Sequence, residues 1–287
     1  MNATAGQQPI ELLFTLDENY LPRLEVVFTS LFASNPGEAF RAHVIHRGIP
    51  EAKLAVLAER SAPLGIEVVP QQVDEALFAD APTTDRYPEE MYYRLLAGQL
   101  LPTSLTRVLY IDPDVLIINP LRPLWEVKLG RKLFAAAAHV ARPAVSDITE
   151  NVNNVRLGTE GRYFNSGVLL MDLERARTAV EPAVVFEYAR DHTLPLLLPD
   201  QDILNALYGS RILEVDELRW NYDARQYHSY FLTSQGEADV DWVMHNTSII
   251  HFCGRSKPWD PSYRYRFGVL YKHYMKQAER FFGPLSS

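Results

Sequence analysis

Short apolar runs alternate with amphipathic stretches along most of this chain. Ile10-Glu-Leu-Leu-Phe-Thr15 predicts a strand that breaks into the polar turn Leu16-Asp17-Glu18-Asn19-Tyr20. Val26, Val27, Leu31 and Phe32 then share one face of a helix predicted over 21–34. His43-Val-Ile-His46 predicts a second strand, 51–60 a second helix and Ile66-Glu-Val-Val69 a third strand. A helix is expected over 89–101, and Leu133-Phe-Ala-Ala-Ala-Ala138 is a strand of small residues that ends at His139. Tyr163 to Asp172 returns to strand character, Ile203 to Tyr208 to helix, and Ile212-Leu-Glu-Val215 to strand. Strands that alternate with helices of this length need crossover connections, which predicts an α/β fold with helices flanking a mainly parallel mixed sheet. Residues 145–158 are polar, asparagine-rich and weakly patterned, the signature of a surface insertion or lid.

The pattern is sharpest at Arg107-Val-Leu-Tyr-Ile-Asp112-Pro-Asp114-Val-Leu-Ile-Ile-Asn119-Pro120. A run of β-branched and large apolar residues that stops at two carboxylates predicts a buried strand delivering Asp112 and Asp114 to the carboxyl edge of the sheet. Open α/β folds bind ligands at that edge. Alternate residues of an extended segment point the same way, and Pro113 stiffens the backbone between them, so both carboxylates can reach one hard cation. Asp and Pro also serve as plain turn formers, and the motif alone does not separate the two uses. Arg94 follows Tyr92 and Tyr93 on the preceding helix, where an arginine serves equally as a solvated charge or a salt-bridge partner. Asn165-Ser166-Gly167 has turn chemistry before its strand, and Asp200 or Asp202 would make a good helix cap. Ser248-Ile-Ile-His251 is a strand ending in histidine, followed by Gly254, which permits close backbone approach, and by Lys257 beside Pro258 and Trp259.

Composition narrows the classes. With 287 residues, 47% hydrophobic and 22% charged, the chain can bury a full core. A net charge of −8 argues against a nucleic-acid coat, which needs a basic surface. From Lys257 onward, however, six basic residues face only Asp260 and Glu279, interleaved with Tyr263, Tyr265, Phe267, Tyr271, Tyr274, Phe281 and Phe282. Such a segment suits either a core cap or a peripheral contact with anionic lipid. A single cysteine, Cys253, excludes an intrachain disulfide and a cysteine-based zinc site. The first residues lack a signal-peptide pattern and no apolar run reaches spanning length, so a cytoplasmic location is expected, with the tail as the place for contact with the inner membrane face. No glycine-rich phosphate loop follows the first strand, which removes support for dinucleotide oxidoreduction and P-loop chemistry.

Taken in order, Thr15-Leu-Asp17-Glu-Asn19-Tyr20, Tyr93-Arg94-Leu95, Leu109-Tyr-Ile-Asp112-Pro-Asp114, Phe164-Asn165-Ser166-Gly167-Val168, Asp200-Gln201-Asp202 and His251-Phe-Cys-Gly254-Arg-Ser-Lys257-Pro-Trp259 resemble glycosyltransferase family eight. This is the family of glycogenin and of bacterial lipooligosaccharide α-galactosyltransferases. The resemblance implies a GT-A type, Rossmann-like nucleotide-sugar-binding fold and hexosyl transfer with retention of configuration. It also implies a UDP-sugar donor, glucose or galactose above all, a glycan or glycolipid acceptor of the lipopolysaccharide or cell-wall kind, and Mn2+ dependence, with Mg2+ as the alternative ion.

Carried onto this chain, the resemblance makes Asp112, Asp114 and His251 the metal ligands. Thr15, Asp17, Asn19, Tyr20, Ile111, Pro113, Gly254 and Lys257 fall on nucleotide-binding positions. Arg94, Asn165, Ser166, Asp200, Gln201 and His139 fall on donor-sugar positions, with Asp200 and Gln201 at the reaction centre. Relatives carry an aspartate where this chain places His139, so contacts to the sugar hydroxyls are expected to differ. The catalytic domain is expected over 1–259 and a basic aromatic helix or tail over 260–287. Two other functions fit parts of the pattern. A haloacid-dehalogenase phosphohydrolase also ends a strand in Asp-x-Asp, but wants Thr or Val where Leu116 stands. A non-catalytic nucleotide-sugar sensor would keep Asp112, Asp114 and Lys257 while being free to lose Asp200 or Gln201.

Overall fold

The computed structural model describes residues 8–83, 89–138, 152–191 and 196–284. His139 and the first half of the expected insertion at 145–158, residues 145–151, therefore lie outside the described residues. Ten strands form among those described: β1 (Ile10–Thr15), β2 (Phe40–His46), β3 (Ile66–Gln72), β4 (Arg107–Ile111), β5 (Val115–Ile117), β6 (Phe134–Ala137), β7 (Val168–Asp172), β8 (Ile212–Val215), β9 (Tyr222–Asp223) and β10 (Ile249–His251). Seven of them build one sheet in the order β3-β2-β1-β4-β7-β6-β8. All neighbours in it are parallel except β7, which runs antiparallel to both β4 and β6. A smaller sheet, β5-β10-β9, adjoins it.

This topology gathers chain ends along one edge. β1, β4 and β6 finish there and the antiparallel β7 begins there, with Ile111 opposite Val168 and the amide of Asp112 donating to the Gly167 carbonyl at 2.8 Å. β10 pairs His251 with Val115, so the end of the small sheet meets the Asp112-Pro113-Asp114 turn. The inner strands β4, β6 and β7 are almost wholly apolar and buried because both faces of the sheet are covered there, whereas the edge strands β3 and β8 expose Glu67 and Glu214.

Helix α1 (Leu21–Ser34) carries Pro22 in its first turn and packs Leu24, Val27, Phe28 and Leu31 into the core. Each such fully buried side chain is worth roughly 1.5–3 kcal/mol. The C-terminal helix (Gly268–Phe282) contributes to the same core through Tyr271, Ala278 and Phe282, and Tyr263 and Phe267 before it are buried as well. Most of the tail's aromatics are thus spent on packing. Lys272, Lys276 and Arg280 remain exposed along the outer face. No helix among the described residues is long and apolar enough to cross a membrane.

Three elements depart from the pattern. The helix expected over 89–101 is two short pieces, Glu90–Tyr93 and Ala97–Leu100, because its halves dock on different neighbours. Tyr92 and Tyr93 pack edge-on against Phe186 and Phe78, while a Cβ on Gly98 would lie 3.1 Å from the backbone of Arg177. The strand expected from Tyr163 forms a continuous ladder only from Val168, after an isolated bridge between Phe164 and Ala138, since Asn165 to Gly167 are used in the site below. The helix after 198 starts at Pro199, so Asp200, Gln201 and Asp202 lie within its first turn. Asp202 accepts backward, from the amides of Leu197 and Leu198, in place of a forward cap.

Candidate active site

Asp112, Asp114 and His251 converge, with one ligand atom from each lying within 4.8 Å of the others. Nε2 of His251 stands 3.2 Å from Asp114 and 3.7 Å from Asp112. The opposite ring nitrogen, Nδ1, is 2.8 Å from Oδ1 of Asn221, a fully buried side chain. With Nδ1 committed to an acceptor, Nε2 is the nitrogen left to bind a cation. Two carboxylates and one imidazole at this spacing fit a divalent ion of intermediate hardness, of which Mn2+ is the type.

Room for the cluster depends on Gly167. Its carbonyl receives the Asp112 amide, and any Cβ at that position would collide with both His251 and Asp112. The glycine is needed for close approach, since its φ is not among the positive ones. Gly254 differs: its φ of +86° is in the left-handed region, and a Cβ there would sit 2.5 Å from the guanidinium of Arg225. Arg225 is in turn clamped by the buried Asp223 at 2.7–2.9 Å.

Charge in the site is tightly paired. Arg94 lies 3.1 Å from both Asp112 and Asp200 and stacks on the Tyr110 ring at 4.7 Å. The Tyr110 hydroxyl donates to Asp112 and reaches Thr15 at 3.3 Å. Burial pushes the Asp112 carboxyl up; Arg94 opposes this and Asp114 reinforces it. Burial acts on Asp114 in the same direction, but His251 and the Lys257 ammonium in contact with it hold this carboxyl well below the usual range. His251 is the converse case, for burial disfavours its charge while the buried Cys253 thiol and Asp114 raise its pKa well above the ordinary value.

The turn before β7 and the helix that starts at Pro199 continue the network. Ser166 donates to Asp200 at 2.7 Å, and Asn165 donates to the side-chain oxygen of Gln201 at 3.0 Å. Asp202 is fully buried beneath them, gripped by Arg156 through two contacts of 2.7 Å and by the Tyr163 hydroxyl. After β1, Asp17 caps the turn Glu18–Tyr20 and accepts from both nitrogens of Asn19. Tyr20 meets Trp259 edge-on at 6.2 Å, and Trp259 rests on Tyr271 of the C-terminal helix. Ile111 and Pro113 are buried on either side of Asp112, and Lys257 touches Asp114 and the Phe252 carbonyl.

Of the residues expected from sequence, Arg94, Thr15, Asp112, Asp114, Asn165, Ser166, Asp200, Gln201, His251 and Lys257 therefore join one contact network, with Asp17, Asn19, Tyr20 and Gly254 on its flanks. Asn221, Tyr110 and Arg225 belong to the site and were not anticipated. Tyr110 had a readable signal, because a tyrosine inside a buried strand must find a partner for its hydroxyl.

Comparison with known proteins bears on the family and the fold. The chain is 28% identical over 271 residues to general stress protein A of Bacillus subtilis, covering 92% of each. It is 26% identical to a lipopolysaccharide 1,2-glucosyltransferase of Escherichia coli K12, covering 87% of this chain and 72% of that one. The solved galactosyltransferase LgtC, in complex with donor and acceptor sugar analogs, superposes with a TM-score of 0.76 at 24% identity, over 93% of this chain and 96% of its own. The fold is thus of the GT-A type. The sequence model of glycosyl transferase family 8 spans residues 11–262, from the first strand past the Lys257 turn, and the chain belongs to that family.

Proposed function

We propose that this glycosyltransferase moves a hexose, glucose or galactose, from a UDP-sugar to a glycan or glycolipid acceptor with retention at the anomeric carbon. The named activities of its lipopolysaccharide glucosyltransferase and galactosyltransferase relatives point to acceptors of that class. The observation that carries the proposal is the Asp112–Asp114–His251 cluster, set at the sheet edge beside Lys257 on one side and Arg94 with Asp200 on the other.

A divalent ion held by Asp112, Asp114 and Nε2 of His251 would supply charge neutralisation to the departing diphosphate. Lys257 adds a fixed positive charge on the same side. Arg94, bridging Asp112 and Asp200, fixes the metal-side carboxylate relative to the reaction centre through a single cation.

Retention needs either a covalent glycosyl-enzyme or departure and attack on one face. Among the described residues, the two carboxylates that flank Gln201 are both engaged: Asp200 by Ser166 and Arg94, Asp202 by Arg156, Tyr163 and two backbone amides. Gln201 is a neutral amide whose oxygen already accepts from Asn165 and from the Ser166 amide at 3.3 Å. This favours front-face transfer. The bond from the anomeric carbon to the phosphate oxygen breaks, the acceptor oxygen bonds to that carbon, and the acceptor's proton passes to the departing phosphate oxygen.

A panel of nucleotide sugars, followed by UDP release with Mn2+ and with chelator, tests the reading. UDP release from UDP-glucose or UDP-galactose that stops in chelator is the expected result. Nucleotide binding with no turnover of any donor, even with candidate acceptors, would favour a sensor.

A further inference from the structure

The amide of Asn221 lies fully buried between the two halves of the site, touching a metal ligand on one side and a sugar-side residue on the other. Its orientation follows from two backbone amides, which can only donate. The Gly167 amide donates to Oδ1 of Asn165 at 2.9 Å, so that atom is the oxygen and its partner atom Nδ2 is the donor toward Gln201. The Ser166 amide likewise identifies Oε1 of Gln201 as an acceptor. Because Oδ1 of Asn165 accepts, the Asn221 atom 2.7 Å from it must be the donor Nδ2. The other Asn221 atom is then the oxygen, and the Nδ1 of His251 facing it at 2.8 Å must carry a proton.

We propose that Asn221 is a positioning residue that sets the protonation pattern of His251 and couples the metal ligand to the donor-sugar pocket. Polarity runs one way along the chain His251, Asn221, Asn165, Gln201, and it is anchored at the Asn165–Gln201 end by the Gly167 and Ser166 backbone amides. Rotating the Asn221 amide by half a turn would place oxygen against oxygen at Asn165 and leave Nδ1 of His251 facing a donor. The inference rests on the metal reading for its consequence but not for its first test.

That test uses protein labelled with 15N-histidine and free of metal, at an alkaline pH where the ring is neutral, with His251 identified by its absence from H251A. Long-range proton–nitrogen spectra should show the proton on Nδ1; a proton on Nε2 would overturn the assignment. A second measurement titrates Mn2+ by electron paramagnetic resonance. Asn221→Leu should weaken Mn2+ binding by about 10–100-fold, the usual loss when a ligand's outer partner is removed. Asn221→Asp keeps an acceptor for Nδ1–H but loses the donor toward Asn165. It should still bind Mn2+ and UDP, while losing the added affinity of a UDP-sugar over UDP. Wild-type Mn2+ affinity in N221L, or a loss of Mn2+ in N221D as large as in N221L, would also overturn it. A wild type that binds no Mn2+ defeats the metal reading instead, and the tautomer is still decided by the spectra.

Discussion

A Cβ on Gly167 would lie 2.3 Å from Cε1 of His251, closer than any real contact. The Asp112–Asp114–His251 cluster can close only because the residue across from it has no side chain. Gly167→Ala should therefore spread His251 and Asp112 apart, lowering Mn2+-dependent UDP affinity by at least about 10-fold while costing about 1–3 kcal/mol of stability, the range for overpacking. Calorimetric titration with UDP and Mn2+, beside a denaturation curve, checks both numbers. Unchanged affinity would mean that the cluster tolerates expansion and that its tight spacing is not functional.

Where periodicity is strong the sequence was easy to read. β1, α1 and β8 have the expected boundaries, because each is bounded by local signals: Pro9 and the Asp17 turn around β1, Pro22 and Asn35 at the ends of α1, and the Asp216 cap after β8. The placement of Asp112, Asp114 and His251 at strand ends was legible for the same reason, and the structure brings them together with Lys257. Illegible were the places where tertiary contact overrode local pattern. The break after Tyr93 turns on packing against Phe186, Phe78 and Arg177, which no window of sequence contains. Gly167 looked like a turn glycine because close approach and positive φ leave the same letter. Asn221, one polar residue in an irregular stretch, had no periodic signal; only its position between His251 and Asn165 gives it meaning.

Arg156 and Asp202 form a second fixed point. The carboxylate is fully buried, and the helix beginning at Pro199 carries Asp200 and Gln201 in the same turn. Arg156→Ala removes the bidentate partner but leaves Tyr163 and two amides, so the loss should fall near about 3 kcal/mol, the low end for a broken buried pair. Turnover should fall too, because the helix start is no longer held. Chemical denaturation and kcat measured on the same preparation test the link; a stability loss with kcat unchanged would separate the pair from the reaction centre.

Glu25 on α1 supplies a pH dependence away from the active site. Burial pushes its carboxyl up to about 7, with Arg60 acting in the opposite direction. The folded protein then binds this proton more tightly than the unfolded chain, whose carboxyl titrates near 4.3. Between those values stability falls as pH rises, since ionisation is opposed only in the fold. Glu25→Gln should accordingly raise Tm at pH 8 and have a much smaller effect at pH 5. Equal shifts at the two pH values would show that Glu25 ionises normally.

The C-terminal helix presents Lys272, Lys276 and Arg280 on its outer face while burying Tyr271 and Phe282. Contact with a membrane, proposed for this segment, would then be electrostatic and shallow, at about 1 kcal/mol per basic residue near an anionic surface. Co-sedimentation with anionic vesicles should be detectable at low salt and lost at physiological salt or in K272E/K276E. Salt-insensitive binding would require apolar insertion, which the buried aromatics do not supply, and absence of binding at low salt removes the membrane contact.

Gln201 offers the sharpest test of how configuration is retained. Its oxygen accepts from Asn165 and from the Ser166 amide, so both in-plane lone pairs are occupied and it is a poor nucleophile even for an amide. In the proposed front-face transfer its contribution would be positional and electrostatic, holding the Asn165–Ser166 segment and presenting a fixed dipole to the anomeric carbon. Removing it in Gln201→Ala should slow turnover by about 10–1000-fold, the scale for one positioned polar group. The anomeric configuration of the product, read by NMR, should be unchanged, because no covalent intermediate depends on this side chain. Gln201→Glu places a carboxylate where the oxygen now accepts two hydrogen bonds, and those same donors should stabilise its charge and keep it from attacking. Intact-protein mass spectrometry during turnover should therefore show no glycosylated species in either variant. A covalent adduct on Gln201 or Asp200 of the wild type, or an inverted product, would replace front-face transfer with a different mechanism.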